Sequence, residues 1–322
     1  MRVAQVERFG GPEVLVTREV PDPVAEAGQV VVEVVAADTL FVETRIRQGM
    51  ARAFFPVEPP YVPGGAVAGR VRSAGARVDP GWVGREVAAF TEGGGYAEQA
   101  VVPVEALVPV VAGLAAADAV ALMHDGVTAL GVFDAAEVKP GEWVLVTAAA
   151  GGMGVLLVQL AHAAGARVVA AARGGSKLDL ARRLGAGTVV DYTGPGWAEH
   201  VRVATGGAGP DVVFDGAGGE IGRAAFQITA DGGRFSAHGA AAGGFAPVDP
   251  DAAARRRVTV RGIQDVQYAL AERTTLAGRA LAEAAAGRIR PVVGRTYPLD
   301  RAADAHTAIE SRAVAGKTLL LM

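Results

Sequence analysis

Short apolar runs separated by Gly and Pro fill roughly the first 120 positions of the chain. The runs at 14–17, 30–35, 66–72 and 86–90 have the β-branched composition of strands. Turn signals as frequent as these are typical of short strands that curl on themselves. We therefore predict that the chain begins with a compact, partly open β-barrel.

From about residue 123 the pattern changes to β-type runs that alternate with helical stretches. The predicted strands are 143–148, 167–172, 188–190, 211–215, 234–237 and 258–263. This alternation predicts a parallel sheet with crossover helices, and six strands is the number in a doubly wound dinucleotide-binding fold. Two helical patterns and a last strand follow, and we expect this tail to complete the first domain. The predicted domains are 1–122 with 266–322, and 123–265.

The segment after the first of these six strands is rich in small residues. It has the spacing Ala149-x-Gly151-x-x-Gly154 between a strand and a helix, with Gly152 and Met153 inside the turn. The N–H groups and the positive dipole end of the helix meet there, which favours a bound diphosphate. A β-carbon at Gly151 would block the phosphate, and Gly154 lets the helix lie close to the strand. The alternative is tight helix–sheet packing with no ligand.

The end of the next strand distinguishes between the two nicotinamide cofactors. An NAD site has an acidic residue there, whereas this strand ends in VVAAARGGSK, with Arg173, Ser176 and Lys177. Cationic and hydroxyl groups favour a 2′-phosphate. The sequence therefore predicts NADPH, although Lys177 is also compatible with an ordinary exposed position.

Composition removes several classes of function. The net charge of −3 is too small to indicate a nucleic-acid surface, and the one basic run, at 255–257, is typical of a solvated loop. The chain has no cysteine, which excludes disulfides and thiolate-bound zinc. No signal-peptide pattern is present, and no unbroken apolar run reaches the roughly 18 residues of a membrane span. We expect a cytoplasmic protein without nucleic-acid or membrane partners.

Several segments resemble one known family. They include GGGYAEQAVVP (93–103), DGVTAL (125–130), AAAGGMG (148–154), GAGTVVDY (185–192) and GGAGPDVVFDGAGG (206–219). Together they are similar to the zinc-independent quinone oxidoreductases, the zeta-crystallin-like branch of the medium-chain dehydrogenase/reductases, over nearly the whole chain. The resemblance implies an α/β protein with a GroES-like catalytic domain and a Rossmann NADPH-binding domain. It also implies a homodimer formed through an edge strand of the nucleotide domain.

The resemblance assigns further residues to the cofactor. It implies that Thr128 lies near the nicotinamide and that Tyr192 touches the 2′-phosphate. It also places His238 and Gly239 at the end of the fifth parallel strand, beside the nicotinamide pocket. For His238, cofactor contact and a structural position are both compatible with the sequence.

The first domain departs from the family pattern. The segment DTLFVETRIRQG (38–49) has Leu40 where the family has Asn, and Arg45 where it has an aromatic residue. Leu40 has no side-chain hydrogen-bonding group. The candidate catalytic residues are therefore His124 as a proton donor, Asp38, and Arg45 as a stabiliser of an enolate. A packed histidine and a surface arginine are the structural alternatives.

These observations predict an NADPH-dependent, zinc-independent reductase of a quinone or an α,β-unsaturated (enoyl) carbonyl compound. The Pro-rich segment 49–65, with three aromatic residues, favours a small apolar or aromatic substrate. Two alternatives remain open at this point. One is a non-redox cyclisation or rearrangement on the same scaffold, and the other is a non-enzymatic NADPH-binding protein.

Overall fold

The computed structural model describes all 322 residues. Its strands are β1 (Arg2–Val6), β2 (Leu15–Glu19), β3 (Gln29–Asp38), β4 (Ala66–Ala74), β5 (Glu86–Phe90), β6 (Gln99–Pro103), β7 (Leu107–Pro109), β8 (Trp143–Thr147), β9 (Arg167–Ala172), β10 (Thr188–Asp191), β11 (Val212–Asp215), β12 (Arg234–Ala237), β13 (Thr259–Gly262), β14 (Val293–Pro298) and β15 (Lys317–Leu321). Its α-helices are α1 (Phe41–Arg47), α2 (Ala116–Ala136), α3 (Gly152–Ala163), α4 (Gly175–Arg183), α5 (Trp197–Ala204), α6 (Gly219–Ile228), α7 (Pro250–Arg256), α8 (Leu270–Ala285) and α9 (Ala302–Glu310).

The chain divides into two compact units. The first unit contains Met1–Val127, Ala269–Gly287 and Pro291–Met322, and the second contains Thr128–Tyr268 and Arg288–Arg290. The sequence prediction divides the chain after residues 122 and 265 instead. The difference at the first boundary has a simple cause, because α2 runs through it without a loop.

The first unit is built on a mixed sheet. Its strands follow the order β14-β15-β3-β4-β5-β7, with β6 also paired to β3, and only the β14–β15 pair is parallel. The strands β1 and β2 form a separate antiparallel pair. Apolar side chains from these strands and from α9 form one core cluster, which includes Val32, Val67, Val87, Ala305 and Leu320. The long strand β3 carries Asp38 at its end, directly beside this core.

The second unit is a six-stranded parallel sheet in the order β10-β9-β8-β11-β12-β13. The strand order reverses direction between β8 and β11, as in doubly wound sheets. The strands β8 and β9 are buried along almost their whole length, as expected of parallel strands covered on both faces. The strands β9 and β12, like β5 in the first unit, have the bounds predicted from the sequence.

Helix α2 is the longest helix of the chain. It starts at Ala116 and continues through Gly126, so the segment DGVTAL (125–130) lies inside the helix. A β-carbon at Gly126 would lie 2.9 Å from the Ala280 side chain, so the glycine allows α8 to pack closely here. By length and mean hydropathy, α2 is the one helix that could cross a membrane, and 61% of that stretch is buried within the protein, as in a core helix.

Candidate active site

The predicted diphosphate turn lies in the second unit between β8 and α3. Gly151 is the residue before the helix, and no side chain caps the first turn, so its N–H groups are available to a ligand. A β-carbon at Gly154 would lie 2.4 Å from the carbonyl oxygen of Ala148. Ala148 itself has a φ of +49°, a left-handed conformation that costs roughly 1–2 kcal/mol for a residue other than glycine. Such strain is typical of functional turns.

The loop after β9 carries Arg173 and leads into α4, which contains Ser176 and Lys177. The amide of Tyr192 donates to the carbonyl of Ala172 at 3.3 Å, so Tyr192 lies at the carboxyl end of the sheet, beside this loop. The residues predicted to bind a 2′-phosphate are therefore neighbours in the fold. Tyr192 also makes an edge contact with the Trp197 ring.

An acidic residue that the sequence reasoning missed supports this loop. The carboxylate of Asp191, at the end of β10, accepts hydrogen bonds from Thr193 and from the amide of Gly174 at 2.9 Å. Bonds from Thr193, then that from Gly174 and the charge of Arg173, lower the pKa of Asp191. The signal was an acidic residue directly after the predicted strand 188–190, next to the loop of the neighbouring strand.

The carboxyl ends of β11 and β12 lie on the same side of the parallel sheet as this loop. The carboxyl of Asp215 is buried and accepts from the Thr147 hydroxyl at 2.6 Å, and burial raises its pKa. His238 contacts the Ser236 hydroxyl at 3.2 Å, and burial lowers its pKa to about 4, so its ring is neutral at pH 7. A β-carbon at Gly239 would lie 2.0 Å from the Gly216 carbonyl oxygen, so the two backbones are in contact here.

In the first unit, three segments bring together a compact acid–base cluster. His124 of α2 and Asp38 of β3 form a hydrogen bond of 2.9 Å between Nδ1 and Oδ2. The Nζ of Lys317, the first residue of β15, lies 2.6 Å from Oδ1 of Asp38 and 3.1 Å from Oδ2 of Asp125. The Asp38 side chain is fully buried, whereas 22% of the His124 side chain is exposed. One histidine edge is therefore held by a buried ion pair and the ring remains accessible.

Charge balance explains how this cluster is stable. Burial by itself lowers the pKa of Lys317, but the carboxylates of Asp125 and Asp38 outweigh it and the net shift is upward. Burial raises the pKa of Asp125, an effect that Lys317 opposes. Because a carboxylate can only accept, the Asp38 contact assigns the proton on Nδ1 to His124. Nε2 is then the atom that can exchange a proton with a ligand.

Packing fixes the position of the His124 ring. Phe90 meets it edge to face, with centroids 5.4 Å apart. Gly65 approaches from another side, since a β-carbon there would lie 3.1 Å from Cε1 and 3.3 Å from Nε2 of His124. The loop that leads into β4 thus requires a small residue beside the imidazole. The ring is therefore oriented by a carboxylate, an aromatic ring and a glycine.

Arg45, the third predicted catalytic residue, makes its observed contacts elsewhere. Its guanidinium lies over the Phe41 ring at 5.1 Å, donates to Gln48 at 3.0 Å and approaches the sulfur of Met50 at 3.6 Å. None of these contacts involves Asp38 or His124. The role predicted for Arg45 remains a prediction, and the same holds for the predicted cofactor contact of Thr128, the first residue of the second unit.

A second buried polar network lies in the first unit. The Glu43 carboxylate accepts from the Tyr96 hydroxyl at 2.7 Å, from the Leu40 amide at 2.8 Å and from the Gly64 amide at 3.0 Å. The Tyr96 hydroxyl is also 3.1 Å from Nε2 of His306. These hydrogen bonds connect the start of α1 with Gly64 and Tyr96. Leu40 contributes its backbone amide to the network, because its side chain has no polar group.

Sequence reasoning missed Lys317 and this network. The signal for Lys317 was a lone cation at the start of an apolar strand, because a buried lysine requires an acidic partner. Glu43 and His306 gave a weaker signal, since each lies within a helical pattern that is otherwise compatible with an exposed face. Their partners come from distant segments, and spacing along the chain does not identify them.

Two family models match the chain. Residues 26–112 match the alcohol dehydrogenase GroES-like domain, and residues 152–275 match the zinc-binding dehydrogenase domain. The chain is 32% identical to a 2-haloacrylate reductase of Burkholderia sp, over 99% of this chain and 98% of the relative. It is 31% identical to the quinone oxidoreductase of Mus musculus, over 100% and 98%.

Solved structures of quinone oxidoreductases are also similar to this chain. Quinone oxidoreductase of Escherichia coli, solved in complex with NADPH, has a TM-score of 0.92 at 26% identity and full coverage of both chains. That of Thermus thermophilus, also solved with NADPH, has a TM-score of 0.81 at 34% identity and full coverage of both chains. The chain belongs to the quinone oxidoreductase family of the medium-chain dehydrogenase/reductases. The predicted fold class, a GroES-like domain with a Rossmann domain, is confirmed.

Proposed function

We propose that this NADPH-dependent reductase transfers hydride to a quinone or an α,β-unsaturated carbonyl compound, and that it does so without zinc. The observation that carries the proposal is the hydrogen-bonded pair of Asp38 and His124, an oriented proton donor. Relatives named for quinones and for a 2-haloacrylate support both classes of acceptor.

The second unit has the groups that such a cofactor requires. The uncapped first turn of α3 and the close approach at Gly154 support a diphosphate site at this turn. The residues proposed to hold the diphosphate are Ala149, Gly151, Gly152, Met153 and Gly154. Those proposed for the 2′-phosphate are Arg173, Ser176, Lys177 and Tyr192, and those for the nicotinamide end are Thr128, His238 and Gly239. When bound, NADPH supplies the hydride, which together with one proton reduces the acceptor and leaves NADP⁺.

The proposed role of the first unit is to supply the proton. Asp38 fixes the tautomer and orientation of His124, and Lys317 in turn holds Asp38. For an unsaturated carbonyl compound, the imidazolium form of His124, with protons on both Nδ1 and Nε2, donates the Nε2 proton to the α-carbon after hydride reaches the β-carbon. For a quinone the proton goes to an oxygen atom, which water can also protonate, so the two acceptors depend on His124 to different extents.

Two features of the chain support a reaction without zinc. The sequence contains no cysteine, the ligand that binds catalytic zinc in many alcohol dehydrogenases. In addition, the carboxylates of Asp38 and Asp125 are both paired with the ammonium of Lys317, which competes with a metal ion for them. The Asp38–His124 pair thus already has Lys317 as its cation.

The test is stopped-flow oxidation of NADPH with 1,4-benzoquinone, methyl vinyl ketone and 2-chloroacrylate. We expect stoichiometric oxidation with at least one acceptor, at a rate that EDTA leaves unchanged. His124→Gln is expected to lower kcat for the unsaturated carbonyl compounds by about 100-fold, with a smaller loss for benzoquinone. The matched control is His200→Gln, because His200 is exposed.

Two results would contradict the proposal. Oxidation with none of the acceptors, although NADPH binds, would exclude the reductase activity proposed here. Loss of activity in EDTA that added zinc restores would exclude the zinc-independent mechanism.

We further propose a cytoplasmic homodimer that pairs through β13. This strand is at the edge of the six-stranded sheet, and its Val260 side chain is 38% exposed. An exposed edge can add a strand from a second copy. Light scattering of the purified chain tests this assembly, and a monomer at micromolar concentration would exclude it.

A further inference from the structure

Arg273 is a half-buried cation in the first unit that makes no ion pair. It lies in the first turn of α8, which begins at Leu270, and there the positive end of the helix dipole disfavours a cation. Burial lowers its pKa, the direction expected of a cation that has lost water without gaining a carboxylate. The fold therefore holds this guanidinium at an electrostatic cost.

The contacts of Arg273 connect it to the acid–base cluster. Its guanidinium carbon lies 4.0 Å from the centroid of the Phe90 ring, a close cation–π contact. The same Phe90 ring meets His124 edge to face. A cation and a proposed proton donor thus contact one buried aromatic ring.

The formal charge of the cluster indicates what this cation can do. The ammonium of Lys317 is already paired with the two carboxylates of Asp38 and Asp125, so it is not available to an anionic substrate beside His124. An anionic substrate would therefore need a second cation as its partner. Arg273 is that second cation, and its planar fork suits a carboxylate.

We propose that Arg273 is a substrate-binding residue that holds the carboxylate of an α,β-unsaturated acid beside His124. This inference rests on the proposed function and narrows its acceptors to an anionic class. The carboxylate pairs with the guanidinium, hydride adds to the β-carbon of the acid, and the proton from His124 adds to the α-carbon. The products are the saturated acid and NADP⁺.

The experiment compares an acid with its neutral ester. Steady-state kcat/KM is measured for 2-chloroacrylate, methyl 2-chloroacrylate and 1,4-benzoquinone in the full-length protein. We expect the wild type to prefer the acid. Arg273→Met keeps an apolar contact with Phe90 and is expected to lower kcat/KM for the acid by about 10- to 100-fold, the range of a charge-assisted pair, mainly through KM. The ester and benzoquinone should change by less than about twofold, and Arg273→Lys should retain part of the preference.

The matched control is Arg85→Met. Arg85 also lies over an aromatic ring, that of Trp82 at 5.3 Å, but it is exposed. This control should leave all three substrates unchanged. Equal losses for acid and ester in Arg273→Met would overturn the inference and assign Arg273 a structural role. A wild type that reduces the ester or benzoquinone but not the acid would overturn it too, whereas a wild type that reduces none of the three would exclude the reductase activity itself.

Discussion

The two units hold their functional groups in different ways. In the second unit, the proposed diphosphate site consists of backbone groups from one short segment, 148–154, with Gly154 where a side chain would collide with the backbone. In the first unit, the acid–base cluster consists of side chains from β3, α2 and β15. The first arrangement depends on local geometry and the second on the balance of buried charges. The two units are therefore expected to be sensitive to different substitutions. Added side chains should disturb segment 148–154, and removed charges should disturb the acid–base cluster.

The largest expected effect is on stability, from removing the cation of the first unit. Lys317→Met leaves the buried carboxylates of Asp38 and Asp125 without their ammonium, so we expect a loss of about 3–5 kcal/mol in the free energy of unfolding. Urea denaturation measures the loss, and hydrogen exchange of the β15 amides localises it to the first unit.

The controls for Lys317 separate charge from packing. Lys139→Met removes an exposed lysine and should change stability by less than about 0.5 kcal/mol. The triple variant Asp38→Asn/Asp125→Asn/Lys317→Met removes both uncompensated charges and should recover part of the lost stability. Equal stability of Lys317→Met and wild type would mean that the ion pairs do not hold the cluster.

The second expected effect is on cofactor binding, from adding a side chain to the backbone site. Gly151→Ala adds a β-carbon whose nearest neighbour, the Ala148 carbonyl oxygen, is 3.3 Å away, so the turn has to shift by a few tenths of an ångström and the added methyl group blocks the phosphate position. We expect the affinity for NADPH to fall about 100-fold, or about 2.7 kcal/mol, by calorimetry. Gly154→Val should lose more, because its β-carbon would lie 2.4 Å from the Ala148 carbonyl oxygen.

The matched control for the glycine turn is Gly187→Ala. Its added β-carbon would lie 4.0 Å from the nearest atom, so binding should be unchanged. NADPH binding by Gly151→Ala within about threefold of wild type would show that the diphosphate does not lie on this turn.

This contrast also explains how much the sequence could predict. The parallel sheet, its glycine turn and the cationic end of β9 follow from spacing within short segments, and the structure places these residues at one edge of the sheet. His124 and Asp38 were predicted as separate candidates, yet they are 86 residues apart in sequence, and only the fold shows that they form a pair. Lys317 could not be assigned, because its partners are known only once β15 is paired antiparallel with β3.

The expected effect that is smallest at neutral pH is on the pH dependence of stability. It arises in the second polar network of the first unit and grows as the pH decreases. His306 is fully buried against Tyr96, and burial, together with the charge of Arg47, lowers its pKa to about 3. In the unfolded chain a histidine has a pKa of about 6.5, so between these values the unfolded state binds one more proton than the folded state. The contribution of His306 to stability is therefore complete above about pH 6.5 and falls as the pH decreases, by up to ~1.4 kcal/mol per pH unit.

His306→Gln keeps a partner for Tyr96 but does not titrate. Urea denaturation from pH 7 to pH 4 should therefore show a shallower decline in stability for His306→Gln than for wild type, whereas the exposed His200→Gln should decline as wild type does. Equal slopes for His306→Gln and wild type would mean that His306 takes up its proton without unfolding.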